Sequence, residues 1–386
     1  MTQDRRQFLS RLAAYCAAAG LPGYAVAGDD DRPHTRPGPS APTLPATGLS
    51  GRVVVVGGGM AGAAAAKFLR LWGGAGVQVT LVERDSAYTS NILSNLVLTG
   101  TVQMSSLAFD HARLASAYGV TLVRGEALAA DPVSRRLTVA TASGPRVLDY
   151  DRLVLAPGIA FAYPDGLKDP AARALFPHAW QAGPQTTQLR DQIRAMPAGG
   201  TFVMTVPPAP YRCPPGPYER ACVVADWLKR NRPGSKVIVL DANPAITAER
   251  ESFTRAFSVT HAGVIEYVSD APVTFVDTAS RTVHTPLGAF RGDVVNVIPV
   301  NVGPALLADL GVANAARGFA GVDVLDYGST AAAGIHVIGD AAATTQPKAG
   351  HIGNQEGKVC ADAILRLLGG GAPDPAPVTN SSCYSP

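Results

Sequence analysis

The stretch GRVVVVGGGMAGAAAAKFLRLW, residues 51–72, decides the fold of this chain. A four-valine run leads into a turn of three glycines, and an alanine-rich segment with helical spacing follows. The valines predict a strand of a parallel sheet, because such strands are buried on both faces. The whole stretch matches G-x-G-x-x-G in the strand, turn and helix context of a dinucleotide-binding unit.

Each position of this turn has a physical reason. Gly57 permits the tight turn, Gly59 lets the backbone approach a pyrophosphate, and Gly62 lets the helix pack closely on the strand. Met60 and Ala61 begin the helix, whose N-terminal N–H groups would face the phosphates. We therefore predict that these five residues bind a dinucleotide.

The next strand, VQVTLVER, ends at Glu83 and Arg84, about twenty residues after the turn. A carboxylate at that place can accept hydrogen bonds from a ribose hydroxyl. We include both residues in the predicted cofactor site. A glycine turn that serves only the packing of the strand and helix is the alternative.

Composition narrows the class of protein. The 386 residues are 47% apolar and 16% charged, which is typical of a globular chain with more than one domain. The formal net charge of +3 is small and scattered, so neither nucleic acid nor an anionic membrane surface is a predicted partner.

The N-terminal segment, residues 1–27, resembles a twin-arginine export signal. Arg5 and Arg6 precede a short, alanine-rich apolar run that is too short for a comfortable membrane span. The signal predicts a periplasmic protein without stable membrane insertion. An N-terminal amphipathic helix of the mature fold is the alternative. Residues 28–49, rich in Pro, Ser and Thr, are predicted to be a linker.

Two later strands point to the identity of the dinucleotide. YDRLVLAPGI (150–159) ends in Ala156-Pro-Gly158, and GIHVIGDAA (334–342) ends in Gly339-Asp340. Both segments resemble those of two-dinucleotide-binding-domain flavoproteins, in which the aspartate lies beside the flavin ribityl chain and phosphate. The resemblance favours FAD. A plain helix N-cap is the alternative role for Asp340.

A second unit begins at the strand GGTFVMTVPP (199–208), but its turn lacks a glycine fingerprint. The only glycine, Gly216, lies between Pro215 and Pro217, and prolines remove backbone donors that a pyrophosphate would need. We predict that this half-domain keeps the fold without binding NAD(P)H. Cys213 lies in this proline-rich turn, at the strand end where ligands are handled in such sheets.

Outside the presumed signal, four cysteines remain, which allow three full pairings. Cys222 and Cys360 lie in helical patterns among small apolar residues, so we predict that they are buried packing thiols. Cys213 and Cys383 are the other two. In an oxidising compartment they would be expected to pair.

Five segments together resemble the flavoprotein subunit of flavocytochrome c sulfide dehydrogenase, including its SoxF-like relatives. These segments are RCPPGPYER, PHAWQAGPQT, NILSNLVLTG, KAGHIGNQEGKV and the terminal CYS, and the similarity runs from about Gly51 to Ser385. The resemblance implies a redox-active disulfide between Cys213 and Cys383 beside FAD, sulfide as substrate and a c-type cytochrome as electron acceptor. A merely structural staple of the tail is the alternative role for this disulfide.

Two charged residues are further candidates. Glu219 could act as a general acid or base for sulfide or thiol protons, although a carboxylate in a first helical turn is also favoured by the helix dipole. Lys348 could stabilise negative charge on a reduced flavin, with a solvated loop lysine as the alternative. His178 and His351 lack metal-ligand spacing, so no metal site is predicted.

The chain departs from the family pattern in two places. Many relatives attach FAD through a cysteine in a segment like YTSNILSN, where this chain has Asn91. Because asparagine cannot form a thioether, we predict non-covalent FAD. Relatives also usually continue past the CYS motif, so the tail is expected to be shortened here.

We therefore predict an α/β fold with two Rossmann-like domains of the glutathione-reductase type. The FAD domain is predicted at 50–160 and 291–366, the altered nucleotide-type domain at 161–290, and the tail with Cys383 at 367–386. The predicted enzyme is a periplasmic sulfide dehydrogenase. A sulfide:quinone reductase-like enzyme and a non-catalytic flavoprotein that supports sulfur-oxidation partners are the alternatives.

Overall fold

Two largely parallel sheets organise residues 41–381, the part of the chain that this computed structural model describes. The predicted signal, most of the linker and Cys383 lie outside the described residues. The helices are α1 (Met60–Gly73), α2 (Ser94–Thr99), α3 (Ala112–Tyr118), α4 (Pro170–Leu175), α5 (Pro184–Ala195), α6 (Gly216–Asn231), α7 (Arg250–Arg255), α8 (Ala305–Asp309) and α9 (Gly350–Leu368). Short 3₁₀ or π turns lie at Met104–Leu107, Ala256–Thr260, Ala316–Gly318 and Gly339–Ala341.

The strands are numbered in chain order. They are β1 (Gly51–Val56), β2 (Val77–Glu83), β3 (Tyr88–Thr89), β4 (Ala108–Phe109), β5 (Thr121–Arg124), β6 (Glu126–Asp131), β7 (Arg136–Thr141), β8 (Gly144–Asp149), β9 (Arg152–Leu155), β10 (Ala160–Ala162), β11 (Thr201–Val206), β12 (Lys236–Asp241), β13 (Ile265–Val268), β14 (Phe275–Asp277), β15 (Thr282–Thr285), β16 (Gly288–Arg291), β17 (Val294–Asn296), β18 (Val300–Val302), β19 (Ala320–Asp323), β20 (Gly328–Ser329), β21 (Ile335–Val337) and β22 (Ala342–Ala343).

The first sheet has eight strands in the order β22-β19-β20-β21-β9-β1-β2-β5. Its centre, from β21 to β5, is parallel, and the valines of β1 are buried as predicted. The apolar faces of α1 and α9 pack on this centre. The carboxyl ends of β1, β9 and β21 therefore meet at one edge, which is where α/β sheets bind ligands.

The second sheet has four parallel strands in the order β13-β12-β11-β17, and α6 packs against it. Its last strand, Val294–Asn296, pairs with β11. The domain boundary predicted at residue 291 falls just before this strand, and the chain next forms β18, which pairs with β10. The predicted fold class, with two Rossmann-like sheets, is confirmed.

Smaller antiparallel sheets complete the fold, among them β6-β7-β8 and β14-β15-β16. These hairpins lie between the parallel strands in sequence and do not interrupt either sheet. Among the helices of residues 41–381, none has both the length and the apolar character needed to span a membrane.

Candidate active site

The first glycine turn is tightly packed. Gly57 has a φ of +96°, and a β-carbon there would lie 2.3 Å from the carbonyl oxygen of Ala156. A β-carbon on Gly62 would lie 1.9 Å from the carbonyl oxygen of Gly57. Gly59 precedes α1 without a side-chain cap, and its β-carbon would come no closer than 3.7 Å, to the ring of Tyr88. The first and third glycines are thus required by packing, and the second leaves the helix N-terminus open to a phosphate.

Met60 and Ala61, the first two residues of α1, lie at this N-terminus as predicted for a pyrophosphate cradle. The described residues therefore fit FAD at its diphosphate. Ala156 follows β9 and donates its N–H to the carbonyl oxygen of Val56 at 2.8 Å. Gly158, two residues on, has a φ of +75°. The loop after β9 therefore lies directly against the glycine turn.

Glu83 ends β2 beside the same turn. Its carboxylate accepts the N–H of Gly58 at 2.5 Å and that of Asp85 at 2.8 Å. Arg84 points to the surface, 3.9 Å from Glu126. The sequence analysis missed His111, which is buried with Nε2 2.8 Å from the carbonyl oxygen of Gly58. A single histidine far along the chain gave no signal that it would reach this turn.

The turn after β21 contains Gly339 and Asp340. Gly339 has a φ of +73°, and its N–H donates to the buried carboxylate of Glu356 on α9. The Asp340 side chain is only 14% exposed and lies 3.9 Å from the guanidinium of Arg212. Burial raises the pKa of Asp340, and the nearby Arg212 and Lys348 charges oppose that rise. We call Gly339 to Ala343 the aspartate turn.

Lys348 joins the aspartate turn to the cysteine loop. Its Nζ donates to the carbonyl oxygens of Asp340 at 2.7 Å and Ala342 at 2.8 Å, and it lies 4.0 Å from the centre of the Phe319 ring. The side chain is buried, which lowers its pKa. Its own carbonyl oxygen accepts the N–H of Cys213 at 2.7 Å. The ammonium therefore lies within the aspartate turn and is not a solvated loop charge.

The cysteine loop, residues 207–215, is held by side chains as well as by its prolines. Cys213 is exposed, has a φ of +55°, and accepts the N–H of Gly216 at 2.9 Å. Arg317 donates to three successive carbonyls of the loop, at 2.9 to 3.1 Å. The hydroxyl of Tyr211 donates to the carbonyl of Pro214 at 3.1 Å. Such support fixes the position of a reactive group.

Glu219 lies in the first turn of α6, as predicted. Its Oε1 accepts a hydrogen bond from Asn95 of α2 at 2.7 Å. Burial raises its pKa, while the Asn95 hydrogen bond and the charge of Arg220 oppose the rise. The helix dipole alone would lower it. Burial therefore dominates, and the carboxyl is suited to exchange protons at a higher pH than an ordinary glutamate.

In the second sheet, the acid at the position that usually binds a ribose is hydrogen-bonded within the protein. Asp241 ends β12 at the place that Glu83 occupies in the first unit, where an acid meets a ribose in dinucleotide-binding folds. Its buried carboxylate accepts hydrogen bonds from the hydroxyls of Tyr218 at 2.7 Å and Tyr267 at 2.9 Å. It also accepts the N–H of Asn243 at 2.9 Å. Because its oxygens already accept these hydrogen bonds, Asp241 is poorly suited to bind a ribose hydroxyl.

Two segments of the chain match models of known protein families. Residues 186–299 match the model for the central part of the sulfide dehydrogenase [flavocytochrome c] flavoprotein chain. Residues 51–179 match the model for pyridine nucleotide-disulphide oxidoreductases. The central part of the chain therefore matches the flavocytochrome c sulfide dehydrogenase flavoprotein family. Together the two matches support a sulfide-oxidising flavoprotein oxidoreductase and imply FAD as its cofactor.

Solved structures share the fold of this chain. The sulfide:quinone oxidoreductase from Aquifex aeolicus is 19% identical with a TM-score of 0.69, over 83% of this chain and 77% of that one. The NAD-dependent persulfide reductase from A. fulgidus is also 19% identical, with a TM-score of 0.65, over 84% of this chain. This chain spans 60% of the persulfide reductase's length.

Cys222 and Cys360 are predicted to be buried packing thiols, and the structure buries Cys360 fully and Cys222 only in part. Cys360, on α9, is buried in the core of the first sheet, and Cys222, on α6, is partly buried against the core of the second. Burial, with a contribution from Glu219, raises the pKa of Cys222 to about 12. Neither thiol is suited to form a thiolate near neutral pH. Cys383, the predicted partner of Cys213, lies outside the described residues.

Proposed function

We propose that this flavoprotein oxidises sulfide through a disulfide between Cys213 and Cys383 beside FAD, and that it passes the electrons to a c-type cytochrome. The observation that carries the proposal is the double role of Lys348. Its carbonyl holds the N–H of Cys213, and its Nζ holds the carbonyl of Asp340. Lys348 is therefore hydrogen-bonded both to Cys213 and to the aspartate turn, the turn that would contact the flavin.

The described part of the tail supports the pairing. Thr379 accepts a hydrogen bond from the side-chain amide of Gln346, which precedes Lys348 by two residues. Four residues of extended chain from Thr379 span about 13 Å. The tail is thus held at Thr379 near the segment that contacts Cys213, which supports the proposed pairing.

In the proposed reaction, hydrosulfide attacks one sulfur of the disulfide. The cysteine S–S bond breaks, a new S–S bond forms, and the products are a cysteine persulfide and a cysteine thiolate. A second hydrosulfide removes the outer sulfur as HS₂⁻, which leaves two thiolates and one proton. Loss of two electrons from this thiolate pair re-forms the disulfide. FAD, when bound, supplies the two-electron acceptor and the later one-electron transfer.

Glu219 is the proposed acceptor of the proton that each turnover releases. Its carboxyl lies in the first turn of α6, three residues after Gly216, whose N–H binds the carbonyl of Cys213. The raised pKa of this buried carboxyl suits a group that must both take up and release a proton. Lys348 is proposed to favour negative charge on the reduced cofactor from within the aspartate turn.

We further propose a periplasmic location, reached through the twin-arginine signal at residues 1–27. That signal resembles those of proteins that fold around a cofactor before export. A periplasmic flavoprotein would meet a c-type cytochrome as a separate polypeptide, because the sequence contains no C-x-x-C-H haem motif.

The acceptor can be tested directly. Protein reduced anaerobically with sulfide is mixed with an oxidised c-type cytochrome or with a short-chain quinone, and flavin reoxidation is followed by absorbance. We expect the cytochrome to reoxidise the flavin at least roughly tenfold faster, since one-electron transfer between proteins needs only weak docking. Faster reoxidation by the quinone would instead favour the sulfide:quinone reductase-like alternative.

Non-covalent FAD gives a second test. Asn91 stands at the usual attachment position, and its Oδ1 accepts the N–H of Ala182 at 2.8 Å. An amide cannot form a thioether, so acid precipitation is expected to release essentially all flavin into the supernatant. The flavin is measured by absorbance in both fractions. Yellow colour that stays with the pellet after washing in denaturant would contradict the prediction.

A further inference from the structure

We propose that Asn95 is a positioning residue that orients the Glu219 carboxylate and keeps its basic form accessible. The inference rests on the proposed role of Glu219 as acid and base. Asn95 belongs to the segment NILSNLVLTG, on α2, and lies 124 residues from Glu219 in the chain, so the segment alone did not indicate this contact. Its side chain is buried between α2 and α6.

The hydrogen bonds of Asn95 fix the orientation of its amide. Nδ2 donates to Glu219 Oε1 at 2.7 Å and to the carbonyl oxygen of Gly216 at 3.1 Å. Oδ1 accepts from Arg220 Nε at 3.0 Å. Because an arginine can only donate, the amide cannot flip without placing two donors face to face. Asn95 therefore always presents a donor to Glu219.

Arg220 is itself immobile. It is buried, lies 4.9 Å from the centre of the Trp180 ring, and donates to the carbonyls of His178 at 2.8 Å and Ala179 at 2.7 Å. It also donates to Oδ1 of Asn296 at 2.9 Å. With its donors engaged, the guanidinium contributes charge to the site, while Asn95 makes the direct hydrogen bond to Glu219.

Several charged or titratable groups surround Glu219, and their effects on it differ. Arg220 on α6 favours the ionised carboxylate, and Glu249, which precedes α7, disfavours it. Cys222 on α6 and Cys213 in the cysteine loop interact electrostatically with Glu219 and Arg220, respectively. Burial disfavours the ionised form most. A donated hydrogen bond favours that form, so loss of the Asn95 amide should raise the pKa of Glu219 further.

The test is an infrared titration of the protein with FAD bound. The protonated-carboxyl band of Glu219 is isolated by subtracting the spectrum of Glu219→Gln, and its midpoint is compared in wild-type, Asn95→Leu and Asn95→Ser proteins. Serine keeps a small polar side chain at this position, but its short hydroxyl does not span the distance to Glu219. We expect both variants to move the midpoint to higher pH.

The rate of flavin reduction by sulfide, measured against pH in the same variants, is expected to shift with the band. At pH values below the midpoint, the rate in the Asn95 variants should be roughly tenfold lower than in the wild type, which corresponds to about 1.4 kcal/mol. Asn301→Leu is the matched control, since Asn301 is also a buried asparagine, but its side-chain oxygen accepts the N–H of Arg212. This substitution is expected to leave the Glu219 band in place, because Asn301 makes no hydrogen bond to Glu219.

The outcomes separate the two proposals. A band that stays in place in both Asn95 variants, or that moves equally in Asn301→Leu, overturns the positioning role of Asn95. A band that moves while the pH profile of flavin reduction does not leaves Asn95 as the residue that orients Glu219. In that case it is the acid–base role of Glu219 in the proposed function that fails.

Discussion

Sulfide is expected to bleach the oxidised-flavin band of the wild-type protein under anaerobic conditions, and Cys213→Ser to slow this bleaching by roughly a thousandfold or more. A serine oxygen cannot form the disulfide that hydrosulfide attacks, and removal of a catalytic nucleophile or electrophile typically has effects of at least this size. The measurement is a stopped-flow record of the visible spectrum after mixing with sulfide.

The matched control for this experiment is Cys222→Ser. Cys222 lies on α6 nine residues after Cys213, and burial keeps its thiol protonated. Its replacement should leave the rate of bleaching within about twofold of wild type, because a poorly ionised thiol contributes little to exchange. If Cys213→Ser were bleached as fast as wild type, the disulfide mechanism would be wrong, and direct attack of sulfide on the flavin would take its place.

Gly62→Ala is expected to weaken FAD binding severely. Its β-carbon would lie 1.9 Å from the carbonyl oxygen of Gly57 and 3.2 Å from the β-carbon of Ala156. Both neighbours belong to the glycine turn and the strand loop beside it, so relief of the clash must move α1 away from β1. Overpacking of this kind costs up to about 3 kcal/mol, which is roughly a hundredfold in affinity.

The affinity is measured by titrating FAD into apo-protein and following the quenching of flavin fluorescence. Gly59→Ala separates packing from cofactor contact, since its β-carbon finds ordinary contacts but lies where the pyrophosphate should approach. That variant should fold as stably as wild type and still bind FAD more weakly. Gly371→Ala, in the tail, is the control for glycine replacement alone. Wild-type affinity in Gly62→Ala would refute the predicted cofactor turn.

Local patterns in the sequence predicted much of the fold. Residues 51–72 form a strand, a glycine turn and a helix because propensity, burial and turn chemistry agree over one short stretch. The missing fingerprint after β11 was visible for the same reason. The domain boundary near residue 291 was harder to place, since a short apolar strand such as Val294–Asn296 can pair in either sheet.

The candidate site was less accessible to sequence reasoning. Contacts between distant residues decide its character, such as Asn95 with Glu219, and Asp241 with Tyr218 and Tyr267. No periodicity or motif encodes such pairs. The second role of Lys348 was equally hidden, because its carbonyl and its ammonium act in opposite directions, one toward Cys213 and the other toward the aspartate turn.

Because Lys348 contacts both the cysteine loop and the aspartate turn, these two parts of the site are thermodynamically linked. If FAD stabilises the aspartate turn in the geometry that Lys348 requires, then the same binding free energy restrains the backbone of Cys213. Linkage is reciprocal, so a change in the redox state of the cysteine pair must alter the affinity for FAD by the factor with which FAD alters the disulfide equilibrium. The affinity for FAD and the reduction potential of the cysteine pair are therefore coupled, so a change in one must change the other.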